Sequence, residues 1–178
     1  MKKLVSDAGL TAHFQIASAA TSTEEIWNGI GNPVYPPAKA ELARHGISCE
    51  GKRARQVTRA DYADYDYLIG MDGANIRNML RIFGGDPEGK VAKLLSYVGS
   101  DRDISDPWYT GEFGTTYDDV LEGCTAFLEY LQQNSKIDTR SDTVNTAYMT
   151  WMSCLKSSQN HHIFLTIPSQ MSFIIRGR

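Results

Sequence analysis

The segment Asp106-Pro107-Trp108-Tyr109 carries the side chains best suited to chemistry in this sequence. Pro107 fixes its own φ and disfavours helical backbone at Asp106, so the carboxyl group is held in one direction. Trp108 and Tyr109 can wall a flat aromatic substrate, and by excluding water they help the carboxyl to keep a proton for transfer. Such a loop suits protonation of the oxygen that leaves an aryl phosphate. The alternative is an ordinary surface turn, because Asp-Pro commonly starts turns.

Length and composition narrow the class of protein. With 178 residues, 42% of them hydrophobic, the chain can bury one core and is too short for two full domains. A net charge of -3 gives no basic surface for nucleic acid. Leu4-Val5 is followed at once by Ser6 and Asp7, so no secretory signal or membrane span is predicted. We therefore expect a cytoplasmic protein with no nucleic-acid partner and no membrane partner.

The cysteines and histidines predict no metal site and no cofactor. Cys49, Cys124 and Cys154 form an odd set without paired spacing, which supports neither a disulfide framework nor a zinc site. His161-His162 has no partner at ligand spacing. Cys124 also falls among apolar residues at helical spacing, which favours a place in the core.

The elements that must position Asp106 alternate between strands and helices. Strand-like runs occupy 14–20, 65–72 and 91–95, and helical patterns occupy 37–44, 75–83 and 115–132, with a short helix before Gly9 and a loop over 27–33. This alternation predicts an α/β fold whose parallel sheet has helices on both faces and whose sites lie at the carboxyl ends of strands.

The carboxy-terminal part breaks this pattern. Residues 134–146 are polar enough for a linker, Tyr148, Met152 and Leu155 form one weak helical stripe, and 163–167 and 173–175 are short strand-like runs. No chemistry follows from these residues. We therefore expect a domain over residues 1–133 and a tail of unknown structure over 134–178.

Six pieces of sequence, taken together, resemble the bacterial type of low-molecular-weight protein-tyrosine-phosphatase. Each piece alone is weak, but they occur in family order and at family spacing, which favours the acid over the surface turn at Asp106. The pieces are Ser18-Ala19-Ala20-Thr21-Ser22, Gly31-Asn32-Pro33, His45-Gly46-Ile47, Ala54-Arg55-Gln56, Tyr67-Leu68-Ile69-Gly70-Met71-Asp72 with Asn75, and Asp106-Pro107-Trp108-Tyr109.

The resemblance implies a three-layer α/β/α fold with a four-stranded parallel sheet, and hydrolysis of phosphotyrosine through a cysteinyl-phosphate intermediate. The implied substrate is a phosphotyrosine protein or a small aryl phosphate ester. The family's general acid falls on Asp106, and its aromatic cleft walls fall on Trp108 and Tyr109, with Trp27 as a third wall. Ser18 matches a serine that hydrogen-bonds the phosphate loop from behind. Lys52 departs from the family, where many members carry His.

The largest departure is at the start of the chain. The family's nucleophile lies in a strand-loop-helix unit of the form Cys-x5-Arg-Ser/Thr, whose backbone N–H groups cradle the phosphate. Met1 enters the family pattern after that unit, so we expect residues 1–178 to lack the first strand and to show no phosphatase activity. A sheet without this strand needs another, and we expect 163–167 or 173–175 to fill the gap.

One segment imitates the nucleophile loop. Cys49 to Arg55 fits Cys-x5-Arg, but Gln56 replaces the Ser or Thr and no apolar strand precedes Cys49. A motif without its structural context is a weak signal, so we do not assign the nucleophile to Cys49. Two other functions stay open for the chain: a relative that binds without cleaving, and an arsenate reductase of the same fold.

Overall fold

A four-stranded sheet forms the centre of the computed structural model, which describes residues 1–134 and 171–177. Its hydrogen-bonded order is β1 (Phe14–Ala20), β6 (Met171–Gly177), β4 (Tyr67–Gly70) and β5 (Val91–Lys93). A separate two-stranded hairpin pairs β2 (Ile26–Trp27) with β3 (Ile30–Gly31). The predictions for residues 135–170 lie outside the described residues, and the predicted boundary at residue 133 stays a prediction.

The sheet is mixed, which corrects the expectation of a four-stranded parallel sheet. β4 and β5 run parallel, whereas β6 runs antiparallel to both β1 and β4, so that β1, β4 and β5 share one direction. The fourth strand comes from the carboxy-terminal segment, and the chain enters it at Met171, opposite Ala20. The predicted filling of the gap by 173–175 is confirmed, because these residues pair with β1 and β4; 163–167 is outside the described residues.

Helices cover both faces of the sheet, as the alternation predicts. The helices are α1 (Lys2–Asp7), α2 (Pro36–Arg44), α3 (Arg59–Asp64), α4 (Gly73–Phe83), α5 (Pro107–Thr110) and α6 (Phe113–Asn134). Ile69 of β4 packs in a cluster with α1 and α6, and its neighbour Leu68 packs with Met79 and Phe83 of α4. Both strand residues are fully buried, which explains the continuous apolar run of β4. The three-layer α/β class is confirmed.

The ends of two helices follow local capping chemistry. The Asp72 side chain accepts a hydrogen bond from the Asn75 amide at 2.6 Å and so caps α4. α4 stops at Gly84, whose φ of +82° lies in the left-handed region. Thr58 and Asp61 form a capping box at the start of α3.

The long helix α6 places Cys124 in the core, as its spacing predicts. Cys124 is 1% exposed and packs in the same cluster as Leu128 and Leu131. Burial raises the pKa of the Cys124 thiol, so a reactive thiolate is disfavoured there.

Three local predictions were wrong. The predicted loop over 27–33 contains the β2–β3 hairpin, whose turn residues Asn28 and Gly29 have φ of 50° and 76°. Positive φ at both positions is the signature of a type I′ turn, for which Asn-Gly is the preferred pair. The strand predicted over 91–95 ends at Lys93 and continues as a 3₁₀ turn. Pro107 starts the single-turn helix α5 where a loop was predicted, because proline suits a first helical position.

Candidate active site

The loop that leads to Asp106 is attached to the turn between β4 and α4. The Ile104 amide donates to the Met71 carbonyl at 3.0 Å, and the Gly73 amide donates to Asp103 Oδ1 at 3.0 Å. Met71 directly follows β4, so these two bonds bring the loop to the carboxyl edge of the parallel strands. This is the edge at which α/β proteins bind ligands.

Within the described residues, one oxygen of the Asp106 carboxyl group accepts a hydrogen bond and the other does not. Oδ1 accepts a hydrogen bond from the Trp108 amide at 2.9 Å, which caps α5. Oδ2 is buried and has no hydrogen-bond partner among the described residues. A buried carboxylate oxygen without a donor is costly, and either a bound proton or a donor on a ligand relieves this cost. The geometry therefore leaves Oδ2 able to bond a group that is not among the described residues.

The two aromatic residues after Pro107 lie open to solvent beside Asp106. Trp108 is 61% exposed and Tyr109 is 84% exposed. The Trp108 ring is backed by Tyr35, whose ring centroid lies 4.6 Å away at an interplanar angle of 54°. Such a tilted contact restrains the indole while its other face stays available. Sequence reasoning missed Tyr35, since nothing in its Tyr-Pro-Pro context indicates a contact with a residue more than 70 positions later.

Trp27 lies on the β2–β3 hairpin that follows β1. Its cross-strand partner is Ile30, and the two side chains are 76% and 63% exposed. The hairpin is attached to the segment after Cys49, because the Ala54 amide donates to the Asn32 carbonyl at 2.9 Å. Trp27 is thus presented by a defined turn, and its role as a third wall stays a prediction.

Ser18 lies within β1, opposite Phe173 of β6 in the register. Its hydroxyl oxygen is buried and has no hydrogen-bond partner among the described residues. Side chains alternate along a strand, so Ser18 shares a face with Phe14 and Ile16, which pack in the cluster of α1 and α6. A buried hydroxyl without a partner is uncommon, and the role of Ser18 as a hydrogen-bond donor to a phosphate loop stays a prediction.

Charged and amide side chains lie close together at the edge around Asp106. Lys93 Nζ lies 3.0 Å from Asp103 and 3.3 Å from Asp101. Burial raises the pKa of Asp72, and the negative charge of Asp103 raises it further. The Asn75 side chain is buried and accepts a hydrogen bond from the Met71 amide at 2.9 Å. Asp72 and Asn75 therefore shape the turn that holds the Asp106 loop, a role that the sequence motif alone did not show.

The segment from Cys49 to Arg55 does not have the structure of a nucleophile loop. Cys49 packs against an apolar cluster, and its carbonyl closes a turn with the Lys52 amide at 3.1 Å. The Arg55 guanidinium forms two hydrogen bonds with Asp61, at 3.0 and 2.8 Å. Burial lowers the pKa of Lys52, and nearby Lys2 and Arg55 lower it further. The Arg55 guanidinium is thus occupied by its ion pair with Asp61, which supports not assigning the role of nucleophile to Cys49.

No helix among residues 1–134 is both long and apolar enough to cross a membrane. Among the described residues, no group of three or more His, Cys, Asp or Glu side chains is arranged to hold a metal ion.

The three-layer fold, with the Asp106 loop at the carboxyl edge of its parallel strands, defines a protein of the α/β class, and comparison with known proteins gives the family. The model of the low molecular weight phosphotyrosine protein phosphatase family matches residues 1–137. The chain belongs to this family of phosphoric monoester hydrolases.

Individual relatives agree with this assignment. The low molecular weight protein-tyrosine-phosphatase YfkJ of Bacillus subtilis (strain 168) is 37% identical over 110 residues, covering 61% of this chain and 70% of that protein. The low molecular weight phosphotyrosine protein phosphatase of Rattus norvegicus is 36% identical over 133 residues, covering 72% and 81%. The crystal structure of YfkJ from Bacillus subtilis superposes with a TM-score of 0.70 at 34% identity, covering 76% of this chain and 84% of that chain.

Proposed function

We propose that this site hydrolyses phosphotyrosine in proteins, or small aryl phosphate esters, with Asp106 as the general acid. The observation that carries the proposal is the Asp106 carboxyl group, which is aimed by Pro107 and by its bond to the Trp108 amide while Oδ2 keeps no partner among the described residues. A general acid needs an oriented carboxyl group whose proton is not already shared. Asp106 protonates the phenolic oxygen as its bond to phosphorus breaks.

Trp108, Tyr109 and Trp27 wall the aromatic ring of the substrate. Their exposed faces suit a flat ring, and the Tyr35 contact supports a fixed indole at Trp108. Ser18 orients the phosphate-binding loop by a hydrogen bond from behind. The proposed location is the cytoplasm, and neither nucleic acid nor a membrane is a proposed partner.

The phosphoryl group is transferred to a cysteine thiolate and then to water, as the family resemblance implies. Residues 1–178 contain no Cys-x5-Arg-Ser/Thr sequence, so we assign this step to none of their cysteines. An arsenate reductase instead needs additional cysteines that relay a disulfide. The two cysteines within the described residues, Cys49 and Cys124, lie in separate apolar clusters and form no relay pair, which favours the phosphatase.

The test combines the reading frame with an assay. The first step is to read the frame upstream of Met1 for an apolar strand and Cys-x5-Arg-Ser/Thr. Where the whole reading frame encodes them, the protein expressed from it should hydrolyse p-nitrophenyl phosphate. The chain of residues 1–178 should give no turnover, because none of its three cysteines lies in a Cys-x5-Arg-Ser/Thr sequence that could bind and accept the phosphoryl group. Turnover of residues 1–178 that disappears in Cys49→Ser would overturn this proposal.

A further inference from the structure

Thr116 connects the long helix α6 to the loop that carries Asp106. It lies in the first turn of α6 and is 2% exposed. Its Oγ1 lies 3.0 Å from the Ser105 carbonyl oxygen and 3.1 Å from the Glu112 carbonyl oxygen, so its one hydroxyl hydrogen is shared between these two acceptors. A threonine in a helix commonly bonds to the preceding turn, but the bond to Ser105 leaves the helix and reaches the loop.

The Ser105 carbonyl controls the orientation of Asp106. This carbonyl and the Asp106 N–H belong to one planar peptide unit, so a bond that holds the oxygen also fixes the plane from which Asp106 projects. Pro107 restricts the backbone of Asp106 to the extended region, where its φ is -74° and its ψ is 116°. The Trp108 amide then holds Oδ1 at 2.9 Å. Thr116 therefore supplies the restraint on the amino-terminal side of Asp106.

The other anchors on the amino-terminal side of Asp106 act farther from its carboxyl group. Ile104 is bonded to Met71, and Asp103 accepts a bond from Gly73, two and three residues before Asp106. Arg102 pairs with Asp119 on the surface. Thr116 differs from these anchors because its hydroxyl is buried and bonds the peptide unit that contains the Asp106 nitrogen.

We propose that Thr116 is a positioning residue for Asp106, which it aims by holding the Ser105–Asp106 peptide plane. This inference rests on the proposed role of Asp106 as the general acid. Thr116 does not touch the substrate. Loss of its hydroxyl lets the peptide plane rotate, so Asp106 and the Trp108 amide separate more often and the acid is less often in place.

Three variants isolate the hydroxyl group. Thr116→Val keeps the shape and β-branching but removes the donor, whereas Thr116→Ser keeps the donor. Thr125→Val is the matched control, because Thr125 lies on the same helix and its Oγ1 bonds the Leu121 carbonyl at 3.0 Å, within α6. This control removes the same kind of group without a link to the loop.

Amide hydrogen exchange of the 178-residue chain tests the inference without any need for turnover. In Thr116→Val we expect the Trp108 amide to exchange roughly five- to tenfold faster, the effect of losing one hydrogen bond that holds the loop. Thr116→Ser should restore the wild-type rate, and Thr125→Val should not change it. The Leu68 amide, which bonds the Lys90 carbonyl at 2.9 Å, reports on the sheet and should stay protected.

Three results would overturn the inference: Trp108 exchange within twofold of wild type in Thr116→Val, an equal change in Thr125→Val, or an equal rise at Leu68, which would mean general destabilisation.

On the protein expressed from the whole reading frame, Thr116→Val should lower kcat for phenyl phosphate more than for p-nitrophenyl phosphate, with KM unchanged. If Asp106→Asn slows both esters equally while the exchange result holds, the acid role fails and the positioning by Thr116 stands. If Asp106→Asn behaves as an acid variant and Thr116→Val changes nothing, only the inference about Thr116 fails.

Discussion

Replacing Asp106 by Asn removes the proton of the proposed general acid with little change in the loop. The Asn side-chain oxygen can still accept the hydrogen bond from the Trp108 amide, now 2.9 Å from Asp106 Oδ1, so the cap of α5 is retained. What is lost is proton transfer to the leaving oxygen. We therefore expect turnover of phenyl phosphate to fall on the order of 10²–10⁴-fold, which corresponds to about 2.7–5.5 kcal/mol in the barrier.

The dependence on the leaving group separates an acid from a structural carboxylate. p-Nitrophenolate leaves easily without a proton, so p-nitrophenyl phosphate should be affected much less than phenyl phosphate. The assay is kcat for both esters, on the protein expressed from the whole reading frame and on its Asp106→Asn variant, with melting temperatures to show that both are folded. An equal loss on both esters would mean that Asp106 only holds the Pro107 turn, and the assignment of the acid would be abandoned.

Three further predictions test the cleft wall, the fourth strand and the α3 cap. Trp108→Ala should raise KM for aryl esters by roughly three- to tenfold, the value of one aromatic contact, and leave aliphatic esters nearly unchanged; equal effects on both would argue against a wall at Trp108. Deletion of residues 135–178 removes β6, so the chain should aggregate or melt at a lower temperature; unchanged solubility and melting would contradict the pairing of β1 and β4 with β6. Burial by itself raises the pKa of Asp61, but hydrogen bonds from Arg55 and Thr58 outweigh burial, so the pKa is lowered overall. The stabilisation that Asp61 gives the folded state is therefore present above the unfolded pKa of about 3.9 and is lost as pH falls through the lower folded pKa. Because Arg55 is partly exposed, Asp61→Asn should cost only about 1–2 kcal/mol at pH 7, and the same cost at pH 3 would refute this account.

Elements whose signals are local could be predicted from the sequence. The apolar run of β4 and the capped α4 depend on neighbours within a few residues, and both occur where periodicity places them. The Asn28-Gly29 turn of the β2–β3 hairpin is also a local signal, but the Gly and Pro residues around it are equally typical of a loop and hide the short strands. Periodicity identified 173–175 as strand-like, but it cannot give the direction of a strand or its neighbours.

In the candidate site, too, the part with a local signal could be predicted from the sequence and the part that depends on distant residues could not. Asp106, Trp108 and Tyr109 are contiguous, so one motif is enough to place them together. Their supports come from distant positions: Tyr35 backs Trp108, and Thr116 holds the peptide before Asp106. A single aromatic or threonine in a helix carries no sign of such a contact, which arises only when α2 and α6 pack beside the loop.

The antiparallel direction of β6 shows that backbone hydrogen bonding and apolar burial, and not a parallel strand direction, are the requirements met in this sheet. Backbone N–H and C=O groups of β1 and β4 can pair with a strand of either direction, so hydrogen bonding alone does not demand a parallel partner. The register places Ile175 beside Ile16 of β1 and Tyr67 of β4, and Ile175 is 1% exposed in the cluster of α1 and α6. Satisfied backbone groups and a buried apolar side chain are therefore obtained together with the strand reversed. This direction also puts the start of β6, at Met171 opposite Ala20, at the carboxyl edge of the parallel strands, so the carboxy-terminal segment joins the sheet on the side where the Asp106 loop is attached.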